Sequence, residues 1–122
     1  MDRIKVMHDS QSIVYRRPFG AVEEGQKVKL SIDIEKEIVV AIELLQFDGT
    51  KVNMGMEKEY LNSGNYRYSI EIDTEDALGV LGYYFILIDG YDRVYYGNND
   101  EHLGGIGQIY TYNPVPYQIT IY

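Results

Sequence analysis

The sequence predicts an all-β chain, a Greek-key β-sandwich of roughly seven to eight strands. Three observations predict it. Short runs of apolar residues alternate with polar ones at period two, turn residues separate the runs at intervals of about 8 to 12 residues, and no stretch holds a helical period long enough to make a helix.

Residues 3–8 alternate, with Ile4 and Val6 between Arg3 and Lys5, and read as a first strand that ends at His8-Asp9-Ser10. Residues 13–19 contain Pro18, which has no amide to give a central strand, so they belong at an edge or in a crossing connection. After a turn over 20–25 comes the most regular strand, 27–35, where Val28, Leu30, Ile32 and Ile34 face the core and Lys29, Ser31, Asp33 and Glu35 face water. Residues 38–47 are apolar on both sides, interrupted by Glu43, so their second face is covered only in part. A reversal through Asp48-Gly49 leads to Val52, Met54 and Met56, which alternate with Lys51, Asn53 and Glu57. Residues 62–65 form a loop, 66–72 another alternating strand, and 73–79 hold one helical turn at most.

The stretch 81–99 organises the rest. It reads as a strand over 80–89, a tight reversal at Asp89-Gly90-Tyr91-Asp92, and a return strand over 93–97. Its first strand is apolar on both faces, which calls for cover on the second. A glycine-rich loop follows at 103–108, and residues 117–122 form a last strand preceded by Pro114 and Pro116.

At 122 residues the chain is one domain, 1–122, and its interruption in a strand-like segment matches a piece cut from a longer polypeptide. With no cysteine, it has neither a disulfide framework nor a thiolate metal site. Eleven basic against nineteen acidic residues, a formal charge of -8, argue against nucleic acid and membrane surfaces as partners. No apolar run approaches the roughly 20 residues of a membrane span. The first ten residues lack an apolar signal core, so the expected location is cytoplasmic.

Gly104-Gly105-Ile106-Gly107 lacks the flanking parallel strand and helix of a phosphate-binding fingerprint, so no cofactor is expected. His8-Asp9 and Glu101-His102 are the only acid–imidazole neighbours, and no nucleophile has a catalytic setting beside them; the expected catalytic set is empty. Asp89, Asp92, Asn98, Asn99 and Asp100 gather oxygen atoms without the spacing of a calcium loop, so no metal site is assigned.

Thirteen tyrosines and no tryptophan set this composition apart. Tyr83, Tyr84, Tyr95, Tyr96, Tyr110 and Tyr112, with Asn98 and Asn99, are the candidate contact residues, because rings stack on sugar C–H faces or on another domain while amides bind hydroxyls. Adjacent strand residues face opposite ways, so of Tyr95 and Tyr96 one lies outside the core. One of Tyr83 and Tyr84 is expected at the surface on the same ground.

His8-Asp9-Ser10, Tyr15-Arg16, Pro18-Phe19-Gly20-Ala21-Val22, Gly82-Tyr83-Tyr84-Phe85, Asp89-Gly90, Tyr95-Tyr96-Gly97-Asn98-Asn99, Gly104-Gly105-Ile106-Gly107 and the closing Tyr117 to Tyr122 occur in an ordered set spanning almost the whole chain. That set resembles the N-terminal immunoglobulin-like domain of bacterial α-amylase-superfamily glycoside hydrolases of the neopullulanase, maltogenic amylase and clostridial α-amylase type. The resemblance implies a non-catalytic accessory domain that precedes a catalytic (β/α)₈ barrel on the same polypeptide. It further implies docking on that barrel, contact with α-glucan, and homodimer contacts in the parent enzyme. An autonomous starch- or malto-oligosaccharide-binding module and a free-standing interaction domain stay open as alternatives.

Overall fold

The computed structural model describes residues 4–122; Arg3, assigned above to the first strand, lies outside them. Among the described residues, eleven strands form two antiparallel sheets packed face to face. One sheet contains β1 (Val6–Met7), β2 (Arg16–Arg17), β3 (Lys27–Ile34), β6 (Glu57–Tyr60) and β7 (Tyr66–Asp73); β1 and β2 share one edge of β3, and β7 lies between β3 and β6. The other contains β4 (Val39–Leu45), β5 (Lys51–Gly55), β8 (Gly79–Asp89), β9 (Asp92–Gly97), β10 (Gln108–Tyr110) and β11 (Tyr117–Ile121), with β8 at its centre. β4 pairs along one edge of β8, while β9 and β11 pair in succession along the other.

The sandwich is as expected, but it has more strands than the seven to eight that alternation suggests. Two of the additional elements are pairings of two or three residues, β2 and β10, and the first strand shortens to the two residues of β1. Another comes from a division. Val52, Met54 and Met56 read as one strand, yet the chain changes sheets at Met56: β5 pairs with β4 and β6 with β7. Side-chain alternation continues smoothly through such a crossing, so it leaves no mark on the pattern. The helical turn at 73–79 is a hydrogen-bonded turn only, closed by the Ala77 amide on the Thr74 carbonyl at 3.2 Å.

The core follows from the alternation. Val28, Leu30, Ile32 and Ile34 of β3 and Tyr68 and Ile72 of β7 meet Val40, Ile42 and Leu44 of β4, Leu81, Tyr83, Phe85 and Leu87 of β8, Val94 and Tyr96 of β9, and Tyr117, Ile119 and Ile121 of β11. Tyr68 brings a hydroxyl into this layer and spends it on the start of β4. It donates to the Ile38 carbonyl at 2.6 Å and accepts the Ile38 amide at 2.8 Å. Replacing Tyr68 by Phe strips both partners from that buried peptide group, with an expected loss of about 1–3 kcal/mol in urea unfolding. An unchanged urea midpoint would show that water takes the hydroxyl's place.

Candidate functional site

The two outer faces of the sandwich differ in kind. On the five-stranded sheet the register places Lys27 opposite Asp73, Lys29 opposite Glu71, Ser31 opposite Ser69 and Asp33 opposite Arg67, with Glu57 and Glu59 next across β6. Several of these residues satisfy one another. Arg67 grips Asp33 with two hydrogen bonds of 2.7 and 2.8 Å, the Tyr15 hydroxyl donates to the same carboxylate at 3.0 Å, and the Ser31 and Ser69 hydroxyls lie 2.8 Å apart. This face suits water.

The six-stranded sheet presents something else. Ala41, Ile86, Tyr95 and Tyr110 run across it in register, with Val39, Ile88 and Arg93 on one side and Glu43 and Tyr84 on the other. The Tyr84 and Tyr95 rings meet edge to face at 5.8 Å, and the Arg93 guanidinium lies 5.7 Å from the Tyr95 ring centre. The Tyr84 hydroxyl donates to Glu43; burial first, and then this carboxylate, push the Tyr84 phenol above its ordinary range.

Of the eight candidate contact residues, Tyr84, Tyr95 and Tyr110 belong to this face. Tyr95 and Tyr110 are half-buried, and Tyr112 stands out from a loop at 73% exposure. Tyr96 points into the core, so alternation correctly splits the Tyr95–Tyr96 pair. The expectation that Tyr83 or Tyr84 reaches the surface fails: Tyr83 is 0% and Tyr84 6% exposed. Tyr84 does point outward, but its neighbours bury it. Tyr95 and Glu43 flank it, and residues 114–116 run against Gly82 and Gly97 on the same face, so closely that a side-chain carbon on Gly82 would meet Pro116 at 3.4 Å. Part of the missing cover therefore comes from the chain itself.

Asn98 and Asn99 are loop clamps. The Asn98 side-chain oxygen accepts the amides of Asn99 and Gly104, both at 2.9 Å, and the Asn99 side chain donates to the Gly104 carbonyl at 2.9 Å and accepts the Leu103 amide at 3.0 Å. They hold the glycine-rich loop against the N-terminal segment, where the Gly105 amide donates to Ser10 Oγ at 2.8 Å. Asp89 and Asp92 sit at the far end of β9 from Asn98, which separates the candidate oxygen ligands. No group of three or more metal-ligating side chains occurs among the described residues.

Alternation places His8 at a strand end, and the structure makes it a core residue at 0% exposure. Tyr15, Tyr83, Phe85 and Tyr117 surround its ring. Nδ1 donates to the Ser31 carbonyl at 2.7 Å, which fixes the tautomer, and Nε2 accepts the Tyr83 hydroxyl at 3.0 Å. Burial draws the His8 pKa down to about 4, against a smaller upward pull from the Ser31 carbonyl. A neutral, doubly bonded imidazole tying two sheets together has no free nitrogen for acid–base work. No sequence signal marked it, since its partners are 23 and 75 residues away.

No known family profile matches the chain. Curated relatives do. The amylopullulanase of Thermoanaerobacter thermohydrosulfuricus is 31% identical over 119 residues, covering 94% of this chain and 8% of that protein. The amylopullulanase of Thermoanaerobacterium saccharolyticum is 32% identical over 120 residues, 94% of this chain and 9% of its own length. The chain thus spans less than a tenth of these enzymes. Among solved structures, a cyclomaltodextrinase superposes on 97% of the chain with a TM-score of 0.65 at 15% identity, using 19% of its own length, which is a likeness of fold. The chain is accordingly a β-sandwich related in sequence to a segment of the amylopullulanases and alike in fold to part of a cyclomaltodextrinase.

Proposed function

We propose that this chain is a non-catalytic accessory domain of an α-glucan hydrolase, and that it docks on the catalytic barrel of its own polypeptide through the outer face of the six-stranded sheet. The inequality of the two faces carries this reading. The outward residues of β3 and β7 are polar, and the buried ones among them, Ser31 and Asp33, are hydrogen-bonded to Ser69 and Arg67, whereas β8 turns Tyr84 and Ile86 outward and Val39 beside it stays 62% exposed. More than nine tenths of each amylopullulanase lies outside the matched segment, so in those relatives a large potential partner is covalently held at high effective concentration.

Tyrosine nitration tests it. In the 122-residue chain, tetranitromethane is expected to modify Tyr95; in a polypeptide that includes the catalytic barrel, Tyr95 should be protected while Tyr60, at the edge of the other sheet and 63% exposed, reacts as before. Equal reactivity of Tyr95 in both contexts would refute docking through this face.

Direct contact with α-glucan is a second reading of the same face, favoured by Glu43 and Arg93 beside the Tyr84–Tyr95 rings. Aromatic rings suit sugar C–H faces, and the charged groups suit hydroxyls. Maltoheptaose should then give saturable heat with the wild-type chain and none with Tyr95→Ala; no heat at millimolar ligand removes this reading and leaves docking.

A further inference from the structure

Arg16 is 5% exposed, yet no carboxylate among the described residues pairs with it. Arginine is almost never so deeply buried without a counter-charge. Its guanidinium donates through Nη2 to the Gly20 carbonyl at 3.0 Å and lies 5.9 Å from the centre of the Tyr83 ring, and its Nε has no hydrogen-bond partner. Asp9, the acid whose field reaches the neighbouring His8 and Tyr83, commits its Oδ1 to the Gln11 amide at 2.9 Å.

Arg16 lines an open groove of about 630 Å³ with Ser10, Gln11, Phe19, Gln118 and Thr120. One wall of this groove is a free strand edge. Beside β11, the Val22 amide donates to the Thr120 carbonyl at 2.9 Å and the Tyr122 amide to the Val22 carbonyl at 3.0 Å. Alternate residues of a strand present their backbone groups to the same side, so the N–H and C=O of Gln118 face the same edge, where no described backbone group meets them. A buried guanidinium with no ion-pair partner and a strand edge with no backbone partner, both among the described residues, therefore open into one groove, flanked by two glutamine amides.

We propose that this groove takes a carboxylate side chain borne on an extended peptide segment, which pairs with the edge of β11 at Gln118 and supplies the missing counter-charge of Arg16. A carboxylate matches the planar guanidinium, and the unpaired edge accepts a peptide by adding one strand. The site is separate from the tyrosine face, and the proposal does not depend on the docking reading above.

The test is an NMR titration of the ¹⁵N-labelled 122-residue chain at pH 7 with the blocked peptide acetyl-Thr-Glu-Thr-amide, its Glu→Gln analogue, and acetate. The glutamate peptide is expected to shift both the Arg16 Nε–H and the Gln118 amide saturably and to bind about tenfold more tightly than the glutamine analogue. Acetate should move Arg16 alone. Arg16→Lys should erase most of the preference for glutamate, and if that variant does not fold, added NaCl should weaken the glutamate peptide while leaving the glutamine peptide unaffected. Equal binding of the two peptides would overturn the carboxylate site. A Gln118 amide that stays fixed while Arg16 responds would overturn strand addition.

Discussion

Gly107→Ala is expected to destabilise the domain by about 3 kcal/mol or more, a drop in thermal midpoint on the order of 10 °C. A methyl group on Gly107 would lie 1.8 Å from the Gly97 carbonyl oxygen and 2.4 Å from the Tyr117 hydroxyl. Neither obstacle yields easily. Gly97 is held in turn, since a side-chain carbon there would lie 2.3 Å from the Val115 carbonyl, and the Tyr117 hydroxyl is anchored on the Gly105 carbonyl at 2.9 Å. The Gly107 amide also donates to the Tyr96 hydroxyl at 3.0 Å, so displacing the loop breaks a bond at the end of the core. Gly55→Ala is the control, because nothing lies within 4 Å of the position its methyl would take and its backbone is extended. It should change stability by less than about 0.5 kcal/mol. A Gly107→Ala protein that melts with the Gly55→Ala control would show that the glycine-rich loop is not locked as described.

Acidification is expected to remove about 3 kcal/mol of stability between pH 6.5 and pH 4 through His8 alone. The imidazole has a folded-state pKa near 4 against the usual 6.5 because burial penalises its cation. Above pH 6.5 it is neutral in both states and the penalty is absent. As the pH falls below 6.5 the unfolded chain takes up a proton that the folded chain refuses, so stability declines, and the loss levels off once the pH passes below about 4. Urea unfolding across this range should show the slope in wild type. His8→Gln, whose amide can donate to the Ser31 carbonyl and accept from Tyr83 without titrating, should remove this contribution to the slope. An identical slope in the variant would assign the acid sensitivity elsewhere.

Much of the fold was legible because period two is a local property. Val28 to Ile34 and Tyr66 to Ile72 declare their inner and outer faces without reference to any partner, and Asp89-Gly90 marks the hairpin that joins β8 to β9. Alternation likewise settled that Tyr95 and Tyr96 part ways. It could not tell that the strand through Met56 serves two sheets, because changing sheets keeps the alternation intact. The candidate contact set was legible only in part. Asn98 and Asn99 have the composition of a sugar site, but the Asn98 side-chain oxygen and the Asn99 amide are engaged within their own loop, which reaches Gly104 six residues beyond Asn98.

By itself, then, the sequence determined the strands, their inward faces and the all-β class, all of which depend on neighbours one or two residues apart. Only the tertiary structure decided that the outer face of the five-stranded sheet pairs polar groups such as Asp33 with Arg67 and Ser31 with Ser69, while that of the six-stranded sheet gathers Tyr84, Tyr95 and Tyr110. It also placed His8 and Tyr83 together across 75 residues and buried Arg16 with no ion-pair partner among the described residues. Burial and pairing of this kind belong to groups brought together from distant parts of the chain, and no local pattern records them.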